Sequence, residues 1–141
     1  MFDPAVKRVA ARGKGALVSM ISDGGKVPAP THLMGGVANA ALILATAGLA
    51  QAYAGRGVRV VGVDPGLTRT DRVAEGMQAE AALLGIGVDE AQTQAEAGIP
   101  LGRVAKPEEV AAVVVLLVSA RARYVIGVTV TMDGAKAATV V

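Results

Sequence analysis

The chain has 141 residues, enough for one buried core but too few for two independent ones. Fourteen Lys and Arg against twelve Asp and Glu leave a net charge of +2, and with only 2% aromatic residues this small excess argues against nucleic-acid binding. The absence of cysteine and the presence of one histidine, His32, exclude disulfides, thiolate metal sites and multi-histidine metal sites. We therefore expect a single cytoplasmic domain over residues 1–141 with no metal.

The first thirty residues predict a helix, a strand and a loop. Residues 3–12 can form a short helix, which Gly13 and Gly15 end because glycine tolerates left-handed backbone angles. We interpret the basic residues of this region, Lys7, Arg8, Arg12 and Lys14, as a solvated helix face. Residues 16–21 then predict a short buried strand, and the Gly, Pro and Asp residues of 22–30 predict a loop.

A long apolar helix is predicted from Thr31 to Tyr53. Small residues recur along it at three- and four-residue spacing, so one face should allow another helix or a sheet to approach closely. These residues are Ala38, Ala41, Ala45, Gly48 and Ala52. The eighteen uncharged residues from Leu33 to Ala50 are near the lower limit for a membrane span. We favour a buried helix of a soluble protein and expect no membrane association.

The rest of the chain continues the alternation of strands and helices. The β-branched residues of 58–63 predict a strand buried on both faces, as in a parallel sheet. Short helices are predicted for 72–84 and 89–97, and a third begins at Pro107 and continues to Val118. The last strand is predicted for 124–132. The expected fold class is a Rossmann-like, doubly wound α/β fold with a parallel βαβαβ half-sheet.

Five segments in this order resemble the short-chain dehydrogenase/reductases, and they match the second half of that family. They are residues 15–22, residues 64–70, residues 99–103, residues 106–111, and residues 124–127 taken with 132–134. The resemblance implies that Ser22 binds the substrate carbonyl or alcohol oxygen as a catalytic residue. It also implies a loop at the nicotinamide end of NAD or NADP. The cofactor-binding residues would be Pro65, Gly66, Leu67, Thr68 and Thr70.

Ser22 and the Pro65–Gly66 turn also have simpler interpretations that remain open. Ser22 could cap its own loop, and Pro65–Gly66 could be an ordinary strand-ending turn. Ligands of open α/β sheets bind beyond the carboxyl ends of the strands, however, and both segments are predicted there. Their position therefore favours a ligand site.

The sequence departs from the family at the position of its catalytic Tyr-x-x-x-Lys pair. Counting from Ser22, the tyrosine position holds Gly35 and the lysine position holds Asn39, which supply neither a proton donor nor a positive charge. His32, one helical turn earlier, is the one nearby candidate for a replacement.

The second departure from the family is that no glycine-rich pyrophosphate turn follows any predicted strand. We therefore expect that the dinucleotide-binding half is absent and that the chain is truncated. The strand at 16–21 would then form a bare sheet edge.

Two functions from different classes remain. The first is an NAD- or NADP-dependent oxidoreductase acting on small carbonyl or alcohol substrates, inactive as the isolated chain. The second is a non-catalytic interaction or dimerisation protein that retains the half-fold. In both cases we expect the chain to form a homo-oligomer through the helices at 3–12 and 31–53. The small-residue face of the second of these helices would allow close packing.

Overall fold

The computed structural model describes residues 2–28 and 33–137. In these ranges the chain forms five α-helices and three strands. They are α1 (Phe2–Ala10), β1 (Gly15–Met20), α2 (Leu33–Tyr53), β2 (Val58–Pro65), α3 (Asp71–Leu84), α4 (Val88–Ala97), α5 (Pro107–Val118) and β3 (Thr129–Met132). Single turns of 3-10 helix occur at Asp23–Gly25, Ala54–Arg56 and Ala120–Ala122.

The strands form one parallel sheet in the order β1, β2, β3. Gly15 pairs with Val58 at one end of the β1–β2 ladder, and Gly62 pairs with Thr129 at the start of the β2–β3 ladder. The β-branched residues of β2 are buried because helices cover both faces of this central strand. The expected parallel α/β fold class is thereby confirmed.

Two apolar clusters hold the layers together, one on each face of the sheet. On one face, Val58 and Val60 pack against α1 and α2 through Val6, Ala10 and Ala50. On the other, β2 packs against α5 through a second group, Val61, Val63, Val110, Leu117 and Ala122. Alternate side chains of β2 thus pack into the two clusters on opposite faces of the sheet, because successive side chains of a strand point to opposite faces.

Most predicted helices and strands begin and end within one or two residues of the predicted positions. The helix at 107–118 has the predicted bounds, whereas the last strand starts at Thr129 rather than at residue 124. Residues 120–122 form a 3-10 turn, and Gly127 donates its N–H to Val60 O at 2.8 Å before regular pairing begins. The predicted helix start at Thr31 and the candidate His32 lie outside the described residues.

Helix α2 uses only one stripe of its surface to contact the sheet. Thr46 and Ala50 are buried, and the Thr46 hydroxyl lies 3.0 Å from that of buried Ser19 on β1. The small-residue face points elsewhere, since Ala38, Ala41, Gly48 and Ala52 are all exposed. Residues 33–56 also have the length and hydropathy of a membrane span, as core helices of soluble proteins can, but only 11% of this window is buried in the described chain, so the expectation of a buried helix is wrong. Ala45, the fifth residue of this face, is half-buried, so within the described chain four of the five positions of the face are exposed.

Arg59 of β2 closes the C-terminal end of α5. Its two terminal nitrogens donate to backbone oxygens of four residues, at 2.7 to 3.2 Å. The acceptors are Leu117, Val118, Ser119 and Ala122. The last carbonyls of a helix have no partner within the helix and carry a partial negative charge. One guanidinium therefore fixes the end of α5 to the sheet.

Candidate functional site

Ser22 lies just beyond the C-terminal end of β1 and is half-buried. Its backbone N–H donates to Asn39 Oδ1 at 3.0 Å, and Asn39 Nδ2 donates to Gly35 O at 2.8 Å within α2. The loop approaches α2 closely, because a Cβ added at Gly25 would lie 2.8 Å from the backbone carbon of Asn39. Asn39 therefore fixes the backbone that carries Ser22.

The positions aligned with the family's proton-transfer pair lie on the first turns of α2. Gly35 is exposed, and among the described residues a Cβ added there would meet no atom beyond its neighbouring helix backbone within 4 Å. The described residues therefore leave space for a side chain at residue 35, whereas the Asn39 amide already binds the Ser22 loop. The structure assigns Asn39 a structural contact that the motif comparison did not predict.

A buried ion pair lies at the same end of the sheet. Lys26 Nζ is 3.4 Å from Asp64 Oδ2, and it donates to Thr131 Oγ1 at 2.6 Å. The Asp64 side chain is fully buried and that of Lys26 is only 13% exposed. This cluster links the loop after β1 to the ends of β2 and β3. Sequence reasoning missed it, although an aspartate at the end of a valine-rich buried strand was an available signal.

The loop at 65–70 continues directly from β2 at this edge. A Cβ at Gly66 would lie 2.9 Å from Asp133 Cα, so glycine is needed there for packing against the end of β3. Thr68 donates its hydroxyl to Gly66 O at 3.1 Å, and Thr70 Oγ1 accepts from Val73 N at 3.4 Å as the N-cap of α3. Leu67 lines a neighbouring cavity. The structure thus places Ser22 and the five predicted cofactor-binding residues at the same end of the sheet, beyond the C-terminal ends of β1 and β2.

Several cavities of the described chain adjoin the 65–70 loop, and two of them lie beside α4 or α5. One, of about 370 Å³, lies between α3 and α4 and is lined mainly by apolar groups, with Arg69 and Thr70 at its border. The other, of about 180 Å³, includes Leu67 and the ion pair of Arg103 with Glu109.

Arg103 binds Glu109 with both terminal nitrogens, at 2.8 and 2.7 Å. This contact, and a backbone hydrogen bond from Lys106, lower the pKa of Glu109 to about 2. The same carboxylate completes the capping of the first turn of α5, because Lys106 N donates to it at 2.8 Å. The pair therefore stabilises the start of α5 on the surface.

The described residues fit only one end of a dinucleotide. Ser22 and the 65–70 loop could contact a nicotinamide ring, but several of the loop's polar groups already serve turn and cap contacts. In residues 2–28 and 33–137, no glycine-rich turn joins a strand to a helix N-terminus in the way that receives a pyrophosphate. The same ranges hold no group of three or more His, Cys, Asp or Glu that could bind a metal.

Comparisons with known proteins identify the family of this chain. A family model described as enoyl-(acyl carrier protein) reductase matches residues 2–135. Cis-4-hydroxycyclohexanecarboxylate dehydrogenase of Sinomonas cyclohexanicum is 35% identical over 130 residues, which are 92% of this chain and 48% of that protein.

Solved structures are similar over nearly the whole chain. A short chain dehydrogenase family protein from Francisella tularensis has a TM-score of 0.84 and 32% identity, covering 88% of this chain and 51% of that one. L-sorbose reductase from Gluconobacter frateurii, solved with NADPH and L-sorbose, has a TM-score of 0.87 and 28% identity, covering 96% and 52%. The chain spans about half the length of these proteins. It belongs to the short-chain dehydrogenase/reductase family of oxidoreductases.

Proposed function

We propose that this chain supplies the substrate-side half of an NAD- or NADP-dependent oxidoreductase that interconverts small carbonyl compounds and alcohols. The observation that carries the proposal is the placement of Ser22 beside the 65–70 loop at the C-terminal edge of a parallel sheet. Ligands of such sheets bind at this edge. The NADPH bound to the sorbose reductase and the dehydrogenase activity named for the Sinomonas protein support the same class of reaction.

In this proposal Ser22 contacts the substrate oxygen and the 65–70 loop contacts the nicotinamide end of the cofactor. Asn39 holds the Ser22 backbone in place through its side-chain oxygen. The cofactor would supply or accept the hydride. In this proposal residues 1–141 form one partial domain, and turnover also requires a dinucleotide-binding half, which the described residues do not contain.

We expect the isolated chain to be catalytically inactive, for two reasons. Gly35 and Asn39 provide no proton donor and no cation where the family has tyrosine and lysine. The described residues also lack a pyrophosphate turn. Calorimetry should therefore show NADH and NADPH binding no tighter than about millimolar, which corresponds to roughly 4 kcal/mol. Micromolar binding by the chain alone would contradict this part of the proposal.

The chemistry is tested by joining a dinucleotide-binding half of the family ahead of residue 1. Such a fusion should bind NADPH but reduce ketones slowly. Adding Gly35→Tyr and Asn39→Lys should raise the rate by about 10²–10⁴-fold, the usual contribution of general acid/base catalysis. Gly35→Tyr alone serves as the matched control, because it leaves the Asn39–Ser22 contact intact.

Cofactor binding must be measured for every fusion, since a folding failure would resemble a catalytic one. If the unsubstituted fusion is as fast as the double variant, the assignment of Gly35 and Asn39 is wrong or another group transfers the proton. His32→Ala in the active fusion then decides between these two explanations. Ser22→Ala should abolish turnover in the double variant while NADPH binding remains.

The second candidate function is a non-catalytic dimerisation protein, favoured by the exposed apolar face of α2. Met34 and Leu44 are 82% and 75% exposed, beside the exposed small residues of the same helix. A homo-oligomer formed through residues 3–12 and 31–53 would cover this face. Sedimentation as a compact monomer at high concentration would contradict it. In either case we propose a soluble, cytoplasmic protein, consistent with its oxidoreductase relatives.

A further inference from the structure

The cavity between α3 and α4 is formed by one continuous stretch of the chain. The two helices are joined by residues 85–87 and pack against each other as a helical hairpin. All of the residues that line the cavity lie between positions 69 and 104. Its volume of about 370 Å³ is within the range of sites that bind small molecules.

The walls of this cavity are aliphatic. The lining positions are 73, 74, 77 and 78 on α3 and 88, 92 and 95 on α4, so each helix contributes residues that are three or four apart and share one face. No aromatic residue lines the cavity, which favours an aliphatic ligand over one that stacks on a ring. The apolar part of the lining is formed by Val73, Ala74, Met77, Val88, Ala95 and Val104.

Arg69 is the one charged residue of the lining. Its backbone is held in place, because Arg69 N donates to Ala105 O at 2.9 Å and Ala105 N donates to Leu67 O at 2.9 Å. The side chain is exposed, and among the described residues no carboxylate lies within ion-pair distance of its guanidinium. The guanidinium can therefore bind the anionic group of a ligand.

The acidic residues of both helices lie outside the lining. They are Asp71, Glu75 and Glu80 on α3, and Asp89, Glu90 and Glu96 on α4. The other polar residues of the lining, Thr70, Gln78 and Gln92, are neutral. One positive charge in an otherwise neutral cavity matches a ligand with one negative charge, and the planar guanidinium fits a carboxylate with two hydrogen bonds.

The cavity adjoins the loop assigned above to the nicotinamide end of the cofactor, because Thr70 belongs to both. We propose that Arg69 binds the carboxylate of a small aliphatic acid whose body fills the cavity between α3 and α4. Aliphatic acids that carry a carbonyl or alcohol group are then the substrate class of this chain. The binding site follows from residues 69–104, whereas the naming of its ligand as the substrate rests on the proposed function.

Titration of the intact chain with octanoate tests the site, and octanamide is the neutral analogue. Octanoate should bind at least about tenfold more tightly than octanamide, because only the carboxylate forms an ion pair with Arg69. Acetate has the charge without the apolar body and should bind at least about tenfold more weakly than octanoate. Amide resonances within residues 69–104 should shift on binding. Equal affinities for octanoate and octanamide, or shifts confined to the exposed apolar face of α2, would overturn the proposal.

Three variants separate the charge from the cavity. Arg69→Gln should weaken octanoate binding by at least about tenfold and leave octanamide binding unchanged. Arg72→Gln removes the same charge from a residue outside this lining and should alter octanoate binding by less than about twofold. Ala95→Leu fills part of the cavity and should weaken octanoate and octanamide alike. Equal effects of Arg69→Gln and Arg72→Gln would overturn the proposal, and so would unchanged binding by Ala95→Leu with circular dichroism showing a folded chain.

These titrations need neither cofactor nor turnover, so their outcome is separate from that of the proposed function. If octanoate does not bind, the acid site is wrong and the proposed function is unaffected. In the fusion that carries Gly35→Tyr and Asn39→Lys, Arg69→Gln should raise the KM for levulinate, an oxo acid, at least about tenfold and leave that for methyl propyl ketone unchanged. An inactive fusion, or equal KM changes for the two ketones, would overturn the assignment of the bound acid as the substrate.

Discussion

The two ion pairs Lys26–Asp64 and Arg103–Glu109 have the same chemistry in opposite surroundings. The first joins a fully buried carboxylate to a lysine that is 13% exposed, whereas in the second both side chains are more than 40% exposed. The exposed pair is closer and bidentate. The distance between the charged groups therefore does not show how much stability is lost when one partner of a pair is removed. Removing Lys26 leaves a buried charge on Asp64, whereas removing one partner of the Arg103–Glu109 pair leaves a charge that water hydrates.

Breaking the buried pair should have the largest effect on stability. Lys26→Met keeps most of the side-chain volume but removes the charge beside Asp64. We expect a loss of about 3–5 kcal/mol in the free energy of unfolding. Urea denaturation measures the loss, and Lys7→Met, which breaks the exposed pair with Asp3, is the control. If Lys26→Met lowers the free energy of unfolding no more than Lys7→Met does, the Lys26–Asp64 pair is not buried as described.

Replacing both partners should restore much of that stability. In Lys26→Met with Asp64→Leu, no charge remains in the interior, and buried ion pairs exchanged for apolar groups are often neutral or stabilising by about 1–4 kcal/mol. The double variant should therefore unfold at a higher urea concentration than Lys26→Met alone. If both variants are equally unstable, the lysine contributes through packing rather than through its charge.

The burial of Arg59 is intermediate between that of the Lys26–Asp64 pair and that of the Arg103–Glu109 pair. Arg59 is a half-buried cation that binds neutral carbonyl groups. Arg59→Met should cost about 1–3 kcal/mol, because the last carbonyls of α5 lose their donor. Hydrogen exchange should show the loss as faster opening at the end of α5, with β1 little changed. Arg121→Met, on the adjacent turn, is the matched control. Equal effects of the two substitutions would contradict the capping role.

The exposed pair should give the smallest effect, visible mainly as a pH dependence. The pKa of Glu109 is lowered from its ordinary value to about 2 in the folded chain. A lowered folded-state pKa means that the contribution is fully present above the unfolded value near 4.5 and is lost as the pH falls toward 2. Glu109→Gln should flatten this part of the stability profile, and Glu108→Gln should not. Parallel profiles for wild type and Glu109→Gln would contradict the assignment.

The sequence predicted the sheet and most helices because they follow local patterns. The valine run of β2 and the Pro-Glu-Glu start of α5 are signals within a few residues, and both elements occur where expected. The contacts at the candidate site were not predicted. Asn39 with Ser22, and Lys26 with Asp64, join residues far apart in the chain, so their proximity depends on how α2 and the loops pack. The last strand was predicted, but its start was placed five residues too early, because residues 124–128 have strand-like composition while regular pairing with β2 begins only at Thr129.

The parallel ladders also have a consequence for the order in which the chain folds. Gly15 pairs with Val58 and Gly62 pairs with Thr129, so every strand contact closes a long loop. Such closures cost conformational entropy before any ladder bond forms, and they slow folding relative to helical proteins of the same size. Helices α2 and α5 can form locally and early, whereas β1 can join only after α2 has folded back. The valine-rich β2 therefore lacks part of its cover until β1 and α2 have packed against it, and an uncovered apolar strand is prone to misassociation.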